Sequence, residues 1–144
     1  MLRKLFVLIV AASALGACES SPAVTPPMTP APATAPVSYM TFFEFASVTL
    51  SDQSLNTIAQ AAQVYKTKQN GKITVTGYAD TVGSAAANMQ LSQRRADAVK
   101  AGLVKAGVPA AAITTNASGD TGTLVATGPQ QKEPRNRRVV IAFN

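Results

Sequence analysis

GYADTVGSAAANMQLSQRRA, residues 77–96, runs from the end of one regular element into the body of the next, and its reading decides the fold. Just before it, residues 72–78 read KITVTGY, an alternating, β-branched run that suits a half-buried strand. Within it, a helix is predicted to start near Ser84 and to stop at Gly107, with Pro109 just beyond as punctuation. A strand feeding a helix through a short turn sets Asp80 at the strand's carboxyl end. Open α/β sheets form their ligand crevices at such ends.

Outward from this unit the same pattern recurs. Residues 41–45, TFFEF, have the aromatic content of a strand. Ser51 can cap a following helix, with Asp52 in the first turn where the helix dipole favours negative charge. Leu55, Ile58, Ala59, Ala62 and Tyr65 then share one predicted face, and Asn70-Gly71 is a turn signal that ends the helix. Residues 113–117 make a third strand, 118–135 a long polar loop, and Arg138 to Phe143 a strong last strand. The order β-α-β-α-β-β predicts an α/β (α+β) two-layer sandwich, with a mixed sheet and two helices on one face.

The second predicted helix separates its two arginines. At about 100° per residue, with Leu91 as zero, Val99, Leu103 and Ala106 centre a buried stripe near 70°. Arg95 falls at about 40° and Asn88 at about 60°, inside that stripe, while Arg94 falls at about 300°. Arg94 is therefore predicted to be a solvated surface base and Arg95 to point inward. An inward guanidinium needs a partner, because an unpaired buried charge costs several kcal/mol. Asp80 is the nearest candidate, and two readings stand side by side. In one, Asp80 and Arg95 form a structural ion pair. In the other they are two halves of a clamp, with Arg95 holding a ligand carboxylate in a bidentate fork and Asp80 holding an ammonium. A zwitterionic amino-acid end satisfies both.

Composition narrows the chemistry. The chain of 144 residues is 47% hydrophobic and 14% charged, with a formal charge of +6 and no histidine. Removal of a segment containing Arg3 and Lys4 leaves 11 bases against 7 acids, too small an excess to indicate nucleic-acid binding. Cys18 is the one cysteine, so neither an intrachain disulfide nor a cysteine-rich zinc site is expected, and no metal or cofactor is implied. Hydrolases commonly use a metal, a histidine, a cysteine nucleophile or a poised carboxylate pair. From residue 53 onward the acids are Asp80, Asp97, Asp120 and Glu133, no two of them close in sequence, so an enzyme is not expected.

The N-terminal residues read as an address. Arg3 and Lys4 precede an apolar run from Leu5 to Leu15, too short for a bilayer span of about 20 residues and right for a signal-peptide core. Leu15-Gly16-Ala17-Cys18 resembles the lipobox of bacterial lipoproteins, in which the peptide before the cysteine is cut and the thiol carries lipid such as palmitate. Residues 19–38 hold six of the nine prolines and no aromatic residue, the composition of a semi-stiff spacer. Twenty such residues at about 3.1 Å each reach roughly 60 Å. The expected division is a signal peptide at 1–17, a lipidated Cys18 with a tether over 18–38, and one domain over 39–144. Nothing between Cys18 and Tyr39 is apolar enough to span a bilayer.

Residues 40–144 resemble the OmpA C-terminal-like family, which includes the peptidoglycan-associated lipoproteins. The residues that carry the likeness are G-Y-A-D-T-V-G at 77–83, Asn88, L-S-Q-R-R-A at 91–96 and N-R-R-V at 136–139. The resemblance implies a β-α-β-α-β-β domain that binds the diaminopimelate of peptidoglycan stem peptides without covalent chemistry. It carries the family's ligand-binding aspartate and arginine onto Asp80 and Arg95, its loop asparagine onto Asn88, and the first arginine of its terminal motif onto Arg137. Three places depart from the pattern: Ala79 where threonine is common, Ala46 where an acid often follows the aromatic, and Ala117-Ser118-Gly119 where a glycine-aromatic-glycine turn is usual. The implied protein is a lipid-anchored link from outer membrane to cell wall, facing the periplasm, with Glu19 after the cysteine favouring outer-membrane sorting. The alternative is an envelope-complex scaffold that binds a periplasmic protein, with Asp80–Arg95 as a structural ion pair.

Overall fold

A computed structural model describes residues 37–68 and 71–144 of the chain. The expected signal peptide, Cys18 and nearly all of the tether lie outside the described residues. The elements follow the expected order: β1 (Ser38–Phe42), α1 (Asp52–Thr67), β2 (Ile73–Gly77), α2 (Ala85–Lys105), β3 (Ile113–Ala117) and β4 (Arg138–Phe143). Short 3-10 turns at Ala110–Ala112 and Pro134–Asn136 lead into β3 and β4. The first strand begins three residues earlier than its aromatics suggested. Register with β4 explains this, since Ser38 pairs with Ala142 and Phe42 with Arg138.

The sheet order is β1-β4-β2-β3. β2 and β3 run parallel across α2, whereas β4 enters between β1 and β2 and runs antiparallel to both. The sheet is mixed and the two helices pack on one face, as the sequence led us to expect. Both helices begin on a serine: Ser51 Oγ accepts from Ser54 N–H and Ser84 Oγ from Ala87 N–H. Each such cap satisfies a donor the first turn cannot use, worth about 1 kcal/mol.

Between sheet and helices lie Ile58, Ile73, Val75, Val99, Leu103, Val139 and Ile141, all essentially closed to solvent. Each contributes about 1.5–3 kcal/mol of burial. The face of α1 is rotated from the expected one. Leu55 is exposed and Ala61 joins Ile58 and Ala62 inside, because α1 also rests against the edge strand β1. Gly77 is required at the end of β2: a Cβ there would overlap the Ser92 carbonyl of α2. That close approach seats α2 directly on the strand that leads to Asp80.

Candidate functional site

With β4 antiparallel to its neighbours, the carboxyl ends of β1, β2 and β3 and the start of β4 share one end of the sheet. The segments 43–50, 78–84 and 118–137 meet there. Arg95 sits beneath them, fully enclosed. Its Nε donates to the Ser47 carbonyl at 3.0 Å, Nη1 to that of Tyr78 at 3.1 Å and Nη2 to that of Glu44 at 3.1 Å. Its guanidinium also lies 5.3 Å from the centre of the Phe43 ring. Burial pushes the Arg95 guanidinium down to about 10, Asp80's charge works to raise it, and Arg137's to lower it further. Three carbonyls, a ring face and a nearby carboxylate keep it charged.

The ion pair is not the one expected from the spacing. Asp80 Oδ2 accepts from Arg137 Nη1 at 3.2 Å, with both side chains buried, and Arg137 Nε donates to the Phe43 carbonyl at 3.1 Å. Among the described residues Asp80 makes no salt bridge to Arg95. The structural pair of the scaffold reading is therefore Asp80–Arg137. The cause is the sheet order: β4 enters beside β2, so the residue just before β4 reaches the end of β2 from within the sheet.

The rest of the terminal motif divides its work in the same way. The Asn136 amide both donates to and accepts from Val125, at 2.8 Å each, pinning the long loop. Arg138 stacks on Tyr78, 3.9 Å from the ring centre, and donates Nη2 to the Gly122 carbonyl. Burial pushes its guanidinium down as well. Val139 is core.

Above Asp80 opens a pocket of about 200 Å³. Phe45 and Ala46 form one wall, Val82, Ala87 and Leu91 the other, with Asp80 and Asn88 between them and Arg94 at the rim. Ala46 holds its wall in the left-handed region, at φ 51°. Asn88 is buried and its Nδ2 donates to Asp120 Oδ2 at 3.4 Å. Ala79, where a threonine is common, is buried and donates its N–H to the Gly119 carbonyl at 2.7 Å. Lys132 places its Nζ 4.5 Å from the centre of the Phe45 ring.

The long polar loop is tied down beside this pocket. Gln130, at φ 56°, exchanges two hydrogen bonds of 2.9 Å with the Gly83 backbone, and Thr81 Oγ1 donates to the Gly128 carbonyl at 2.7 Å. Of the four residues singled out from sequence, Asp80 and Asn88 line the pocket, Arg137 braces Asp80 from the side, and Arg95 lies beneath the wall it ties together. Arg94 is solvated, as the helical arithmetic has it, and is also the cation on the pocket's rim. The arithmetic gave direction along one helix and carried no information on what the 44–47 turn would cover.

Known proteins resemble this chain in sequence and in shape. It is 38% identical over 112 residues to an outer membrane protein of Gluconacetobacter diazotrophicus, a match over 74% of this chain and 30% of that one. It is 34% identical over 102 residues to a probable lipoprotein, YiaD, of Escherichia coli, covering 71% of this chain and 47% of that one. The chain thus spans half or less of the length of these two relatives. The crystal structure of the peptidoglycan-associated lipoprotein from Burkholderia pseudomallei superposes with a TM-score of 0.68 at 26% identity, over 74% of this chain and 90% of that one. The profile of the OmpA family matches residues 42–137, from the last residue of β1 through Arg137. The chain belongs to the OmpA family.

Proposed function

We propose that this chain links a bacterial outer membrane to the cell wall by binding the diaminopimelate of peptidoglycan stem peptides non-covalently. The observation that carries this reading is a buried carboxylate, Asp80, in a largely apolar pocket with the cation Arg94 at its rim. Arg137 takes Oδ2, which leaves Oδ1 for a ligand ammonium. Arg95 has two of its five N–H groups left after its three carbonyl bonds, and with Arg94 at the rim it supplies the positive field for a ligand carboxylate. Asn88 orients the ligand between them.

In the same reading residues 1–17 are a signal peptide, Cys18 carries lipid in the inner leaflet of the outer membrane, and residues 18–38 carry the 39–144 domain out to the wall. The relatives named as an outer membrane protein and a lipoprotein support this placement. The chain acts as a binding module, with no catalytic step, and periplasmic proteins are further partners of its loops.

The test is co-sedimentation of the full chain with purified diaminopimelate-type peptidoglycan, for wild type and Asp80→Asn. Losing one partner of a charge-assisted pair costs on the order of 2–5 kcal/mol, so the variant stays in the supernatant. Free diaminopimelate releases the wild type. Equal sedimentation of both chains refutes the assignment.

A further inference from the structure

On the other side of the Phe43–Ala46 segment, at the same end of the sheet, lies a second concavity of about 370 Å³. That volume is within the range of small-molecule sites, roughly 300–1,000 Å³, whereas the Asp80 pocket at 200 Å³ suits the end of one side chain. Its lining is mixed. Phe42 offers an aromatic surface that is 46% exposed, and Glu44, Thr49, Gln53 and Arg135 surround it with donors and acceptors of both kinds. Arg137 belongs to both places: it lines this groove while its Nη1 holds Asp80. Its Nη2 has no hydrogen-bond partner among the described residues.

The geometry points to a sugar site: the groove takes an N-acetylated amino sugar of the same glycan whose stem peptide fills the Asp80 pocket. This rests on the stem-peptide reading and adds the second half of the ligand. A pyranose has a flat C–H face that packs on an exposed aromatic ring, and a rim of hydroxyl and acetamide groups that needs both donors and acceptors. Phe42 supplies the first requirement and Glu44, Thr49 and Gln53 the second. An acyl chain is disfavoured by that polar rim. A phosphate is disfavoured because Glu44 lines the groove and Glu133 already neutralises Arg135, with contacts of 3.0 and 3.1 Å.

The spacing also fits. Two residues of extended peptide between sugar and diaminopimelate reach roughly 7 Å. The two concavities are separated by one arginine side chain and the 3.2 Å ion pair at its tip.

Calorimetric titration of the full chain in detergent tests this with three probes: a disaccharide–tripeptide, the tripeptide alone, and the disaccharide of N-acetylglucosamine. The glycosylated peptide binds about tenfold more tightly than the bare one, equivalent to about 1.4 kcal/mol. Phe42→Ala and Gln53→Ala each remove most of that gain and leave the affinity for the bare tripeptide unchanged. Equal affinity for the two peptides overturns the sugar site and leaves the stem-peptide site standing. If neither peptide binds, the stem-peptide reading falls, and the free disaccharide decides alone. Amide shifts at Phe42 and Gln53 in its presence support the sugar site, and their absence at millimolar disaccharide overturns it.

Discussion

Replacing Arg95 with methionine separates a residue that holds the fold from one that merely touches a ligand. The guanidinium makes three charge-assisted bonds to the carbonyls of Glu44, Ser47 and Tyr78, each worth about 1.5–3 kcal/mol net. Methionine fills much of the volume and removes the cost of burying a cation, several kcal/mol, which offsets part of the loss. The Glu44 and Ser47 carbonyls lie in a surface turn and can recover water. The Tyr78 carbonyl, at the end of β2, recovers less. The expected net loss is about 3–5 kcal/mol, the range for breaking a buried charged contact from one side. For a domain of this size that lowers Tm by roughly 12 °C or more, at about 4–8 °C per kcal/mol. The assay is urea unfolding of the full chain carrying Cys18→Ser, followed by circular dichroism, with Arg94→Met as control. Arg94 is exposed, and its replacement changes stability by no more than about 0.5 kcal/mol. If the two variants unfold at the same urea concentration, the carbonyl net does not hold the 44–47 turn, and Arg95 belongs to the ligand alone.

Gly77→Ala displaces α2 from β2, because the new methyl meets the Ser92 carbonyl; a loss of about 2 kcal/mol or more is expected in thermal unfolding, the class of overpacking changes. Gln130→Ala removes both bonds to Gly83 and leaves a non-glycine residue at positive φ, so amide exchange over residues 127–131 should quicken while β2 and α2 stay protected. Arg135 holds the Glu133 carboxyl below its ordinary range, chiefly through their side-chain hydrogen bonds. The pair's stabilisation is therefore present above the ordinary carboxylate pKa and is lost as pH falls through the lowered one. An NMR titration of Glu133 in Arg135→Ala should show its midpoint moving back up.

Local chemistry was legible without coordinates. Ser51 and Ser84 begin their helices, Ile113–Ala117 and Arg138–Phe143 are strands at the positions their β-branched runs occupy, and the order of elements is the observed one. These features depend on neighbours within a few residues, and the side-chain period records them. The buried face of α1 was less legible. Leu55 and Ile58 are equally apolar, and which of them is inside depends on where the edge strand β1 lies.

Of the site, the sequence determined that Arg95 points inward, that Arg94 points out, and that Asp80 closes a strand. Those follow from a 3.6-residue period and a turn. What it left undetermined is who meets whom. Asp80 and Arg137 are 57 positions apart in the chain, and they pair because β4 inserts between β1 and β2. Arg95 finds carbonyls 17, 48 and 51 positions away because Gly77 lets α2 settle against the sheet beneath the 44–47 turn. A periodicity gives a side chain its direction. Its partner is set by strand order and by how closely two backbones approach, and both are properties of the folded whole.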